Sequence, residues 1–369
     1  MNASEVAANR LAAQQLSSTD FEDPAELVAW LGAVQAQDYL GALWSVGLRL
    51  GEARETAIER ALSERRVVRS WPMRGTLHFV AAEDLRWLLS LLAPRVLSRV
   101  ARRYRELELD DAAFTKSRRC LTRALAGGNR LSRPEAYQVL EAGGVSTQGQ
   151  RGIHVLQRLA LDQLLCFGPR EGKQHTFVLL DEWVPRSKKR TREHALGELA
   201  RRYFTGHGPA TLADFTWWTG LTVAEAREAL ELAEAELHES EVGTTAYWSG
   251  RAPKRRAAAG VQLLPGFDEF LLGYEDRGAV LDEAHRDRVH PGANGLLCPT
   301  VVIDGRVAGT WKRTLAKRGV SIAVRPFGRL EQVSRQHLQA EAERYARFLG
   351  QTLHCLEVEG PSARRPRES

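Results

Sequence analysis

The stretch Thr-Leu-Ala-Asp-Phe-Thr-Trp-Trp-Thr-Gly-Leu-Thr-Val-Ala-Glu-Ala, starting at Thr211, constrains the fold of this chain more than any other. Gly208-Pro209-Ala210-Thr211 opens a helix over residues 212–219, and Gly220-Leu221-Thr222 turns the chain. Thr222 then caps a second helix over 223–235, because its hydroxyl can take one of the unpaired N–H groups of the first turn. Two helices joined by a three-residue glycine turn define a helix-turn-helix, whose first helix packs while the second reads or positions. A helix over 192–204 precedes it, and short runs at 237–241 and 245–248 supply the strands of a wing.

The same order occurs twice more. Helices are expected over 4–15, from Asp23-Pro24 through Leu27, Trp30, Leu31 and Val34, and over 56–64, followed by strands at 67–71 and 75–80. Residues 82–107 read as a helical scaffold. Farther on come a helix over 116–126, a helix begun by Ser132-Arg133-Pro134-Glu135, a helix over 150–162, and hairpin strands at 164–167 and 176–180. Helices followed by a β-hairpin is the order of a winged helix. Beyond 260 the signals change. Residues 261–274 read as a strand and a compact loop, Asp304-Gly305 between apolar runs at 300–303 and 306–311 as a tight hairpin, and 329–349 as a closing helix.

The expected fold class is α+β, mainly α, with three tandem winged helix-turn-helix motifs on a helical scaffold. The expected divisions are a first winged-helix module at 1–110, a second at 111–190, a third at 191–260, a C-terminal unit of strands, hairpin and helix at 261–360, and a disordered polar tail at 361–369. A length of 369 residues with 43% hydrophobic content suits two or three domains. No apolar run approaches the ~20 residues of a membrane helix, and residues 1–16 lack a signal-peptide core, so a cytoplasmic protein away from membranes is expected. The four cysteines, at 120, 166, 298 and 355, stand singly without zinc spacing, so neither metal nor cofactor is expected. Net charge is +6, carried mainly by arginine. The planar guanidinium fork binds two phosphate oxygens at once, which makes nucleic acid the first partner to consider.

Gln35-Ala36-Gln37, expected to close the apolar helix from Asp23, is the candidate reaction centre. A glutamine amide carries an acceptor and donors but no charge. It is a poor general base, yet it can orient a water for hydrolysis of a bond already primed to break.

Gln35-Ala36-Gln37-Asp38, Trp71-Pro72-Met73-Arg74-Gly75-Thr76-Leu77-His78, Leu264-Pro265-Gly266-Phe267-Asp268-Glu269-Phe270 and the stretch from Val301 to Trp311 together resemble, in order and spacing, the AlkZ/YcaQ family of winged-helix DNA-binding proteins, over roughly residues 5–350. The resemblance implies three winged helices in a C-shaped molecule with a basic concave face, and monofunctional excision of alkylated guanines from double-stranded DNA. The Gln-Ala-Gln triplet looks like the AlkZ branch, which is associated with interstrand crosslinks and with self-resistance to DNA-alkylating natural products.

On this reading the chain hydrolyses the N-glycosidic bond of bulky N7-alkylguanines, whose positive charge already weakens that bond. Gln37 and Gln35 would hold the water through their amide oxygens and stabilise the developing sugar cation. Arg74 and His78 in the first wing, with Trp311, Lys312 and Arg313 at the end of the Asp-Gly hairpin, are the expected DNA contacts. Asp38, Asp268 and Glu269 are accessory candidates, each with a structural alternative. The basic runs 186–190 and 254–256 are solvated loops unless they meet phosphate. A monomer suffices, since three modules in one chain can bracket a duplex. The principal rival is a winged-helix transcriptional regulator. A protein that sequesters the alkylator is a second rival, and a metal-dependent nuclease lacks its ligand cluster.

Overall fold

The computed structural model describes residues 1–186, 190–250, 260–292 and 295–360. One order repeats along it: helix, short strand, two helices, hairpin. In the first module, helix α1 (Ala3–Ala13) precedes α2 (Pro24–Leu31), which Asp23 caps with Pro24 in the first turn. Strand β1 (Val34–Gln35) leads to α3 (Tyr39–Leu48), α4 (Glu55–Ser63), β2 (Val67–Met73) and β3 (Thr76–Ala81). The sheet order is β1-β3-β2, so the short first strand lies on the open side of β3. Arg74 and Gly75, at φ 54° and 77°, make the two-residue turn between β2 and β3, where Met73 faces Thr76. Both central residues at positive φ is the turn whose twist matches a hairpin.

Helix α5 (Ala82–Glu106) is the scaffold. The second module has α6 (Asp111–Leu125), β4 (Leu131–Ser132), α7 (Arg133–Ala142), α8 (Arg151–Leu161), β5 (Leu165–Phe167) and β6 (Thr176–Leu179), with strand order β4-β6-β5. After the short α9 (Leu180–Trp183), the third module has α10 (Arg192–His207), α11 (Leu212–Thr219), α12 (Val223–Ala233), β7 (His238–Val242) and β8 (Thr245–Ser249). Its first strand is reduced to one bridge, Ala210 to Trp248. Thr222 forms a full capping box with Glu225, and Gly220 turns the chain at φ 73°. Three copies of one topology establish the mainly α, α+β fold read from the sequence.

The remainder comprises β9 (Val261–Leu264), α13 (Glu269–Leu272), α14 (Arg286–Val289), β10 (Thr300–Ile303), β11 (Arg306–Ala316), β12 (Gly319–Pro326), α15 (Gln332–Phe348) and β13 (Thr352–Val358). Its strands form one sheet in the order β13-β12-β11-β10-β9. This sheet and α15 share a single apolar core with α1 to α4. Trp44 of α3 and Trp311 of β11 each donate an indole N–H to β9, to the carbonyls of Leu263 and Leu264, both at 2.7 Å. The Tyr345 ring packs edge-on against both indoles. The first module is thereby welded to the C-terminal sheet.

Two expectations change, and one helix lies where none was expected. The helix from Asp23 ends at Leu31, where Gly32 takes φ 75°, so Gln35 lies on a strand and not at a helix end. Helix α3 leaves no mark in the sequence pattern because every residue from 41 to 48 is buried, so no polar face reveals a helical period. The hairpin strand after Asp304-Gly305 does not stop at Trp311 but runs on to Ala316 and turns into β12. The tail 361–369, the run 254–256 and the centre of the run 186–190 lie outside the described residues.

Close packing of α3 on α15 sets a test. A Cβ added at Gly47 would lie 2.4 Å from Phe348 Cε2. Gly47→Ala is expected to lose about 1–3 kcal/mol through overpacking, although alanine is the better helix former. An unchanged urea midpoint would show that α15 can step aside.

Candidate active site

Gln35 sits on the outer strand of the first winged helix, and Gln37 follows just beyond its end. Gln35 pairs with His78 across β1 and β3, and the pairing continues by one bond from Ala36 N to Leu77 O at 2.7 Å. Gln35 ends β1, and Gln37 lies two residues on, in the bend before α3. They differ in exposure: Gln35 is only 7% exposed, whereas Gln37 is open to solvent.

The strand is pinned at nearly every polar atom. The N–H of Gln35 donates to Glu269 Oε1 at 2.9 Å. The carbonyl of Ala36 accepts from Arg69 Nε at 3.1 Å and Nη2 at 2.8 Å. Gln37 Oε1 accepts from the Leu77 N–H at 3.2 Å, and Gln35 Oε1 from Arg74 Nη2 at 3.1 Å. Arg74 also donates to the Trp218 carbonyl. The tip of the first wing is thus not free. It is held by the C-terminal end of α11, and by Gln157 of α8, whose Nε2 donates to the Gly75 carbonyl at 2.9 Å.

Glu269 is fully buried. Besides Gln35 it accepts from Trp218 Nε1 at 2.9 Å, and His207 Nε2 lies 3.4 Å away. Burial alone would raise its pKa. His207, Arg74 and His78 outweigh that and hold the carboxyl at about 2, so it is an anion at neutral pH. Burial lowers the pKa of Arg74, with Glu269 opposing. Burial and the neighbouring Arg74 charge push His78 down to about 3, so it is neutral. Burial also lowers Arg69 to about 10, which leaves it charged.

The sequence-derived site residues therefore separate into groups. Gln35, Arg74, His78 and Glu269 form one cluster with Gln37 at its edge. Asp38 stands at the start of α3 beside it, and its carboxylate lies 3.9 Å from Arg313 Nη2. Arg313 also donates to Tyr345 Oη of α15 at 2.6 Å. Lys312 is exposed.

Three expectations need correction. Trp311 is 2% exposed and spends its N–H on the core, so it offers DNA no surface. His78 is likewise sealed off, and its ring faces Arg74 and the Thr76 carbonyl. Asp268 is locked to Arg49 inside the core and can reach no sugar. The basic tip expected after the Asp-Gly turn belongs instead to the β11–β12 turn, where Leu315, Lys317 and Arg318 are exposed.

Sequence reasoning passed over Trp218, His207 and Arg69. Their signals were weak. Trp218 looks like an ordinary inward residue of α11, and an arginine in a strand gives no hint that its guanidinium will bind a backbone carbonyl. Among the described residues there is no metal-binding cluster, and no helix is long and apolar enough to cross a membrane.

Three tandem winged helices, the first with a neutral amide pair at the end of its outer strand, place this chain in the class of multi-winged-helix proteins. The family model of AlkZ-like DNA glycosylases matches residues 28–348, and the chain belongs to that family. It is a DNA glycosylase, a hydrolase that acts on DNA. A relative described as an interstrand DNA cross-link repair glycosylase, from Streptomyces sahachiroi, is 28% identical over 94% of this chain and 96% of its own length. The solved structure of the Streptomyces sahachiroi DNA glycosylase AlkZ superposes with a TM-score of 0.80 at 26% identity, covering 97% of this chain and all of that one.

Proposed function

We propose that this chain excises N7-alkylguanines, including bulky adducts and crosslinked guanines, from duplex DNA by water-mediated hydrolysis of the N-glycosidic bond. The observation that carries this reading is the exposure of Gln37 beside buried carboxylates that are already engaged. Asp268 is bound to Arg49, and Glu269 to Gln35 and Trp218. With those two carboxylates unable to reach solvent, the strand offers amides that position water without removing its proton strongly. Such a catalyst suits a base that already carries positive charge and leaves unmodified guanine alone. The similarity to a crosslink-repair glycosylase over nearly the full length of both chains supports the crosslink part. Protection of a cell against its own alkylating product is the role the family resemblance implies, and it belongs to the same proposal. The chain would act as a monomer, with Lys312, Lys317 and Arg318 as contacts to phosphate.

The test is a duplex carrying one N7-alkylguanine, read by strand cleavage in alkali, with a second duplex joined by an N7–N7 guanine crosslink. The wild type is expected to leave abasic sites on both. Gln37→Ala is expected to lose about 100-fold or more in excision, the scale of removing a transition-state contact, with DNA affinity within a few-fold. Absence of cleavage together with preference for one DNA sequence would establish the regulator instead.

A further inference from the structure

We propose that Arg74 and Glu269 are positioning residues for excision, and that they fix Gln35 as a hydrogen-bond donor beside an acceptor on Gln37. The proposal rests on the hydrolytic reading above and adds a division of labour between the two glutamines.

The orientation of the Gln35 amide follows from chemistry. An arginine side chain has donors only, so the Gln35 atom 3.1 Å from Arg74 Nη2 is the carbonyl oxygen. The NH₂ group must then point away from Arg74. It has no hydrogen-bond partner among the described residues and is not among the sealed polar atoms. A cation on the oxygen withdraws electron density and strengthens the N–H groups as donors. Glu269 fixes the other end of the residue by accepting its main-chain N–H. Both anchors meet at Trp218, which donates its indole N–H to Glu269 and gives its carbonyl to Arg74.

Gln37 is held differently. Among the described residues its oxygen accepts one bond, from the Leu77 N–H at 3.2 Å, and no charged group holds it. A carbonyl oxygen has two lone pairs, so one remains. Two residues of chain reach at most about 7 Å, a separation that two side-chain amides can close onto a single shared water. A water between the glutamines would accept from Gln35 Nε2 and donate to Gln37 Oε1, which leaves a lone pair for the anomeric carbon. As the C–O bond forms and the glycosidic C–N bond breaks, the electron pair leaves with the base and the water proton passes toward Gln37 and solvent.

The test is a double-mutant cycle in single-turnover excision of an N7-alkylguanine duplex. Arg74→Met is expected to slow excision at least tenfold in the wild-type background, with affinity for the abasic product duplex within threefold. In a Gln35→Ala background the same substitution is expected to change the rate less than twofold, because Arg74 acts through Gln35. Glu269→Gln, which keeps an oxygen for the Gln35 N–H, is expected to recover part of the activity that Glu269→Ala loses. Should Arg74→Met fold poorly, Arg74→Lys keeps the charge but cannot reach both Gln35 and the Trp218 carbonyl, and it replaces Met in the cycle. Losses that simply add, or an unaffected rate, would overturn the positioning role while leaving the glycosylase intact. No excision by the wild type would overturn the hydrolytic reading, and this proposal with it.

Discussion

Asp268→Ala is expected to destabilise the protein by about 3–5 kcal/mol, the cost of leaving a buried charge without its partner. Asp268 Oδ1 and Oδ2 accept from Arg49 Nη2 at 2.7 Å and Nη1 at 2.9 Å, and both side chains are at most 1% exposed. The carboxylate also accepts from Ser45 Oγ at 2.7 Å and from the Phe270 N–H at 2.9 Å. Arg49 donates in turn to Gln14 Oε1 at 2.8 Å, and Gln14 Nε2 donates to Tyr274 Oη at 2.9 Å. Removing the anion strands a guanidinium with no route to water. Removing both partners, as in Arg49→Met with Asp268→Leu, is expected to cost much less than the single change, because no uncompensated charge remains. Urea unfolding of the three variants checks this. A single variant within 1 kcal/mol of wild type would mean that water reaches Arg49. The network lies one residue from Glu269, and of this acidic pair, read in the sequence as accessory candidates with a structural alternative, Asp268 takes the structural one.

His78 and His175 are expected to make acid weaken the fold as pH falls below 6.5. His78 is held near 3 and His175 near 4, the latter by burial and then by Arg69, Arg170 and Arg133. Both lie below the ordinary value of 6.5, so the native state keeps them neutral while the unfolded chain takes up protons. Their contribution is therefore complete above pH 6.5 and is lost as pH falls through 6.5 toward the folded values. Each costs about 1.4 kcal/mol per pH unit in that window. Between pH 7.5 and 5.0 the pair should remove about 2–4 kcal/mol, the lower figure allowing for the partial exposure of His175. Glu269 adds a further loss only below pH 4.5, as protons reach a carboxyl whose folded value is about 2. His78→Asn should reduce the slope in urea unfolding measured across this range. A flat stability between pH 7.5 and 5.0 would contradict the burial of both rings.

Local chemistry explains what can be read from the chain alone. Capping residues, turn glycines and apolar periodicity act over a few positions, so helix α11, the α11–α12 turn and the paired hairpins are legible in the sequence. The scaffold α5 is legible for the same reason. Gln35 and Gln37 are legible as residues, though not in their setting. Apolar periodicity marks a helix only where one face stays polar, so α3 is invisible in the pattern and the glutamines look like the end of the helix before them.

The rest depends on contacts between residues far apart in the chain. Glu269 reaches Gln35 across 234 positions, and Trp218 reaches Glu269 across 51. No local pattern encodes which arginine will meet which carbonyl. Burial has the same character: Trp311, Lys312 and Arg313 are consecutive, yet the first lies in the core, the second in solvent and the third beside Asp38. The sequence by itself determined the capped and amphipathic helices, the turns, the repeated modules and the two amides. Tertiary structure decided which polar groups are spent inside and which remain for chemistry, because desolvation and hydrogen-bond partners exist only once the modules have packed.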